Sequence, residues 1–186
     1  MTPTQRLARP EDIPAIAALM RASVVEIFPA FYDERQTESA ALHVSHLDEM
    51  LVEDGTYFVH EANGEIVACG GWSRRNRLYA GEGEAEDDDR LLDPATEPAR
   101  IRAMFVRSDW TRQGIGRAIL EASEAAARAE GFSRMALGAT LPGVPLYAAY
   151  GFVETGRFVL ETPDGVRLEG ASMEKEIALT GECAPA

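Results

Sequence analysis

At 186 residues the chain is long enough for one domain with a sizeable core. Its 18 Lys and Arg stand against 31 Asp and Glu, a formal net charge of −13 that argues against nucleic acid as a partner, because phosphate contacts need clustered cations. Two cysteines, Cys69 and Cys183, are too few for a disulfide scaffold and lack metal-ligand spacing, so no metal is expected.

No apolar run reaches the roughly 20 residues of a membrane span, and no leader is visible after Met1. A cytoplasmic protein with no membrane partner is therefore expected. Residues 5–8 read as an opening strand. Pro10-Glu11-Asp12 reads as a helix entry, with Asp12 as cap and Pro14 in the first turn. Ile13, Ile16, Ala17, Met20 and Val24 recur at helical spacing, and the helix should end before Pro29. A second helix is predicted over residues 38–52. Its His43 and His46 are three apart, but two histidines without a third ligand make a poor metal site.

Asp54-Gly55 is a turn, residues 56–61 a strand, Asn63-Gly64 a hairpin turn and residues 66–72 its partner strand. Gly70-Gly71 interrupts that partner and marks a bulge. Residues 80–99 carry the acids Glu82, Glu84, Glu86, Asp87, Asp88 and Asp89, with Pro94 and Pro98. A loop this long is either mobile or functional, as a solvated acidic segment or as a cation-attracting lid.

Residues 100–106 form the central strand, and Met104, Phe105 and Val106 are all apolar, as in a strand covered on both faces. Arg112-Gln113-Gly114-Ile115-Gly116-Arg117 then makes a glycine loop that opens a helix. The free N–H groups and dipole at that helix start suit an anion such as a pyrophosphate, and Arg112 and Arg117 can add charge-assisted contacts. A P-loop is excluded because no Gly-Lys-Ser/Thr follows, and the dinucleotide fingerprint because its third glycine place holds Ile119. Taken alone, the two glycines serve equally well as a plain helix entry. Ile115, Ala118, Ala122, Ala125 and Ala129 give this helix a narrow core face, and Gly131 ends it. A strand over 134–140, a helix over 144–150 and a hairpin of 153–161 with 166–177 complete the chain. No internal repeat is present.

The run from Thr111 to Gly116 resembles the acyl-CoA loop of the GNAT superfamily of N-acyltransferases, Gln/Arg-x-x-Gly-x-Gly/Ala, with Thr111 at the first place. Tyr147-Ala148-Ala149-Tyr150-Gly151-Phe152 is similar to the family's Tyr-x-x-x-Gly-Phe element, and residues 9–16 to its opening strand and helix. The resemblance implies an α/β (α+β) fold: a mixed central sheet with a splayed parallel strand pair, flanked by helices. It implies one domain over residues 4–178, with a flexible tail over 179–186. The implied co-substrate is acetyl-CoA, held by Met104, Phe105, Val106, Arg112, Gln113, Gly114, Ile115, Gly116 and Arg117, with a side chain on Gly116 expected to block the phosphates. Unpaired backbone groups in the splay would take the pantetheine amides, and the N–H of Phe105 or Val106 would polarise the thioester carbonyl. Tyr147 would protonate the leaving thiolate, with Tyr150 as the nearby competitor.

No general base is singled out. Arg100 stands where many relatives place a Glu, and Glu97, Glu26, His43 and His46 are the candidates acting through water. Phe28, Phe31 and Tyr32 lie where the family builds its acceptor wall, or else pack in the core. The implied reaction is direct transfer of an acetyl group to the amine of a small molecule or a protein. The alternative is a non-catalytic acyl-CoA-binding sensor or interaction module. A homodimer is left open.

Overall fold

The computed structural model describes residues 2–77 and 89–178. Among them seven strands form one sheet: β1 (Thr4–Leu7), β2 (Tyr57–Ala62), β3 (Glu65–Ser73), β4 (Ala99–Val106), β5 (Arg134–Thr140), β6 (Val153–Glu161) and β7 (Arg167–Glu176). Their spatial order is β1-β2-β3-β4-β5-β7-β6. All neighbours are antiparallel except β4 and β5. That parallel pair touches only at Ala99↔Met135 and Arg100↔Ala136, so the rest of β4 diverges from β5. The implied splay is therefore present.

Helices cover both faces: α1 (Ile13–Ile27), α2 (Glu34–His43), α3 (Met50–Glu53), α4 (Ile115–Ala129) and α5 (Val144–Tyr150). On α1, Ile16, Met20 and Val24 are fully buried. With its flanking turns this stretch, Pro10–Ala30, is long and apolar enough by composition to cross a membrane, contrary to the reading of the sequence. Its most apolar face is spent on the sheet, against Tyr57, Val59 and Cys69.

Three predicted elements differ. The second helix starts earlier, at Glu34, because Asp33 accepts from Gln36 N–H while the Gln36 side chain accepts from Asp33 N–H, a capping box. It ends at His43 rather than running on, and α3 is a separate turn. On α4 the buried face is Ile115, Ile119, Leu120, Ser123, Glu124 and Ala127, while Ala125 and Ala129 are exposed. The larger apolar area of Ile119 and Leu120 outweighs the alanine stripe. The bulge near Gly70-Gly71 lies in the opposite strand: Cys69 pairs with Phe105 and Gly71 with Arg102, so β4 carries the extra residue. Ala103 there has φ +50, and Tyr57 Oη donates to its carbonyl at 2.5 Å. A Cβ on Gly70 would meet Met104 Cγ at 2.6 Å, so that glycine admits the bulge.

Cys183 and residues 179–186 lie outside the described residues, as do Glu82 to Asp88 of the acidic loop. The later part of that loop is anchored: Leu92 is buried in the core beside Trp72, and Arg90 pairs with Glu97.

Candidate active site

The divergence of β4 from β5 opens a cleft of about 1270 Å³. Its lining includes Met104, Phe105 and Val106 of β4, Arg112, Gly114, Ile115, Gly116 and Arg117 of the glycine loop, and Tyr147 of α5. Gln113 is the exception among the expected contacts. Its side-chain amide turns back to the Asp109 carbonyl at 3.2 Å.

Strand register decides which backbone groups face the cleft. Arg107 N–H donates to Val67 O at 2.9 Å, and Phe105 pairs with Cys69. Alternation therefore turns Phe105 N–H toward β3 and Val106 N–H toward the splay. Of these two backbone N–H groups, that of Val106 is the one that faces the cleft. The Val106 carbonyl accepts from Ser23 Oγ at 3.0 Å, which ties α1 to the cleft floor.

The loop end presents free backbone donors at the start of a helix. Arg112 has φ +61 and Gly114 φ +82, so the chain makes two left-handed turns before α4. The first bond of the helical ladder is Ala118 N–H to Gly114 O at 3.0 Å, and no side chain caps the helix. The N–H groups of Ile115, Gly116 and Arg117 thus precede the ladder and point out at the mouth of the cleft. Arg112 has no ion pair among the described residues, whereas Arg117 pairs with Glu121 at 2.9 Å and lies 5.5 Å over the Tyr150 ring. A Cβ on Gly116 would meet Leu146 Cδ2 at 2.9 Å, so this glycine lets α5 close on α4. A Cβ on Gly114 would meet nothing within 4 Å, so its constraint is the positive φ alone.

Tyr147 stands on the opposite wall, on a ring seat formed by Phe152, edge-on at 5.8 Å. Gly143 makes room for it, since a Cβ there would meet Tyr147 Cε2 at 2.8 Å. Its hydroxyl has no hydrogen-bond partner among the described residues, and its apolar surroundings raise its pKa above the usual tyrosine value. Tyr150 is differently placed. Its hydroxyl donates to Glu124 Oε2 at 2.9 Å, and Glu124 also pairs with Lys175 and Arg128. Tyr150 is thereby committed to joining α5 to α4 and β7.

The base candidates separate. Glu97 accepts from both terminal nitrogens of Arg90, which with the Asp93 N–H holds its pKa down to about 2, and it does not line the cleft. Glu26 accepts from Ser108 Oγ and is likewise absent from the lining. His43 and His46 both line it. His46 Nε2 lies 2.8 Å from the Leu42 carbonyl, which only accepts, so Nε2 carries the proton and Nδ1 is the free lone pair of the neutral ring. His43 Nε2 lies 3.8 Å from Asp164 Oδ2. Arg100 donates to Asn76 Oδ1 at 2.8 Å. Cys69 is fully buried, and burial pushes its thiol up to about 12, which removes it as a nucleophile. Among the described residues no group of three or more His, Cys, Asp or Glu could hold a metal ion.

A mixed sheet opened at its one parallel pair, with a bare helix N-terminus at the mouth and a phenol on the facing wall, defines the N-acyltransferase class of fold. The acetyltransferase (GNAT) family model matches residues 21–152, and the chain belongs to that family. No curated protein matches the sequence. Among solved structures, a GCN5-related N-acetyltransferase from Rhodopseudomonas palustris has 22% identity and a TM-score of 0.71, covering 95% of this chain and 96% of that one. PaiA N-acetyltransferase from Thermoplasma acidophilum, in complex with coenzyme A, has 16% identity and a TM-score of 0.64, covering 95% and 99%. YncA from Salmonella typhimurium, with acetyl-CoA, has 18% identity and a TM-score of 0.62, covering 100% and 99%.

Proposed function

We propose that this acetyltransferase moves an acetyl group from acetyl-CoA to a primary amine by direct attack. The observation that carries the reading is that one cleft is lined by a helix N-terminus without a side-chain cap, an inward Val106 N–H and a Tyr147 hydroxyl with no partner among the described residues. The donor set fits acetyl-CoA: Ile115, Gly116 and Arg117 N–H groups with Arg112 suit a pyrophosphate, and the splay suits an extended pantetheine arm. When bound, acetyl-CoA supplies an activated thioester. Val106 N–H donates to the carbonyl oxygen as negative charge develops there. The amine nitrogen forms the new bond to the carbonyl carbon as the carbon–sulfur bond breaks. Tyr147 gives its proton to the departing sulfur, and the phenolate regains a proton from the acylated nitrogen, which must lose one to become the amide, directly or through water. The raised phenol pKa does not disqualify it, because the same apolar wall raises the pKa of a thiol, as burial does for Cys69. His43 and His46, which both line the cleft, are the candidates to take the proton the ammonium must lose before attack.

Thiol release from acetyl-CoA by the full chain, with and without a panel of amines, tests the reading. Amine-dependent release supports it. Acetyl-CoA binding with no release under any amine supports the sensor alternative.

A further inference from the structure

The acceptor end of the cleft has a composition that names a substrate class. Its walls are Ile27, Phe28, Phe31, Phe105, Phe158 and Leu160, and Phe31 remains 44% exposed at the mouth. In the β6–β7 ladder Leu160 pairs with Leu168 and Phe158 with Gly170. Alternation therefore puts the side chains of Phe158, Leu160 and Leu168 on the α2 face and those of Glu161 and Glu169 on the other. Leu160 and Leu168 pack with Phe28 and Tyr32. Three cations line the whole cleft among the described residues: Arg112 and Arg117 at the loop end, and Arg102. Arg102 is 3% exposed and committed, with Nη1 on the Arg77 carbonyl at 3.1 Å and Nη2 on Asp48 Oδ2 at 3.4 Å. The acceptor end thus offers apolar rings and two histidines, and among the described residues its lining holds no uncommitted arginine or lysine.

This end is also closed between α2 and β7. Gln36 Nε2 donates to Arg167 O at 2.8 Å, and Ser39 Oγ to Asp164 Oδ1 at 2.7 Å. Tyr32 Oη donates to Glu169 O at 2.7 Å and accepts from Leu141 N–H at 2.9 Å. An internal stretch of polypeptide laid along the cleft needs it open at both ends, and these bonds shut one of them.

We infer that the acceptor is a small primary amine with an aromatic or branched apolar body and no carboxylate. This rests on the transferase reading above. The ring would be buried against Phe28, Phe31 and Phe158, while a carboxylate brought to the same place would find no free arginine or lysine among the described residues. The net charge of −13 favours approach of a cationic amine.

The test offers the full chain acetyl-CoA with four acceptors: 2-phenylethylamine, phenylalanine, putrescine, and a short peptide with a free alanine N-terminus. Acetyl-CoA binding is measured separately by calorimetry. The expected kcat/KM for 2-phenylethylamine exceeds that for phenylalanine by about 100-fold or more, since the two differ by an unpaired charge. Phe31→Ala should raise KM for 2-phenylethylamine by about 10-fold and leave acetyl-CoA affinity unchanged. Equal or better transfer to phenylalanine, putrescine or the peptide overturns the inference and leaves the transferase reading standing. So does the absence of 2-phenylethylamine turnover by protein that transfers to another amine. Failure to bind acetyl-CoA overturns both.

Discussion

Tyr147 and Tyr150 show how one turn of helix separates two environments. Tyr147 faces the cleft over Gly143, while Tyr150 is held by Glu124. Tyr147→Phe keeps the ring and removes the proton, so turnover should fall about 10- to 10,000-fold with acetyl-CoA affinity unchanged. Equal turnover would move the proton source to solvent. Tyr150→Phe should behave oppositely, costing about 1.5–3 kcal/mol of stability for a bond to a charged group, with turnover preserved in the folded fraction. A thermal melt beside the rate assay separates the two. His60 adds a pH signature outside the site. It is buried, its Nε2 lies 2.8 Å from Gln5 Oε1, and its Nδ1 has no partner among the described residues. Burial lowers its pKa from the ordinary 6.5, so the folded state resists a proton that the unfolded chain accepts. Its contribution is whole above pH 6.5 and declines as pH falls from there toward the lowered folded value. Denaturant unfolding at a series of pH values should show a weaker acid decline in His60→Gln. Tyr147 was legible from its motif. The Arg102–Asp48 pair was not, because its partners are 54 residues apart and no local pattern joins them.

At the level of elements, the glycine loop carries the binding claim. Gly114 sits at φ +82, a conformation a β-branched residue reaches only with strain. Gly114→Val should cost about 1–3 kcal/mol in the binding-competent loop, a loss of about 5- to 150-fold in acetyl-CoA affinity by calorimetry, with the melting temperature little changed. Unchanged affinity would show that the loop does not hold the co-substrate. Gly116→Val tests this less cleanly, because its side chain would first strike Leu146. The bounds of β5 and α5 follow from the sequence because glycine and proline bracket short apolar runs there. The start of α2 also had a local signal, Asp33 with Gln36 three residues on, but the apolar pattern pointed later along the chain. The bulge was legible only as a glycine pair. Which strand bears the extra residue depends on the register of β3 against β4, and register is a tertiary property.

At the level of the whole molecule, the opening of the sheet is the central structural fact. Two residue pairs hold β4 to β5, and beyond them the strands part around the cleft. No single segment encodes that divergence. Beyond it α1 ties to Val106 through Ser23, while β5 pairs in full with β7 from Arg134 to Thr140. The motif resemblance led to it; periodicity alone gives only a mixed sheet. Direct transfer across this cleft requires that no acetyl group ever rest on the protein, consistent with Cys69 buried and protonated. The decisive measurement is intact-protein and small-molecule mass spectrometry after mixing the full chain with acetyl-CoA, first without and then with 2-phenylethylamine. The account predicts unmodified protein in both samples, and acetylated amine with free coenzyme A in equal amounts in the second. Stoichiometric acetyl-protein that decays on addition of the amine would contradict it.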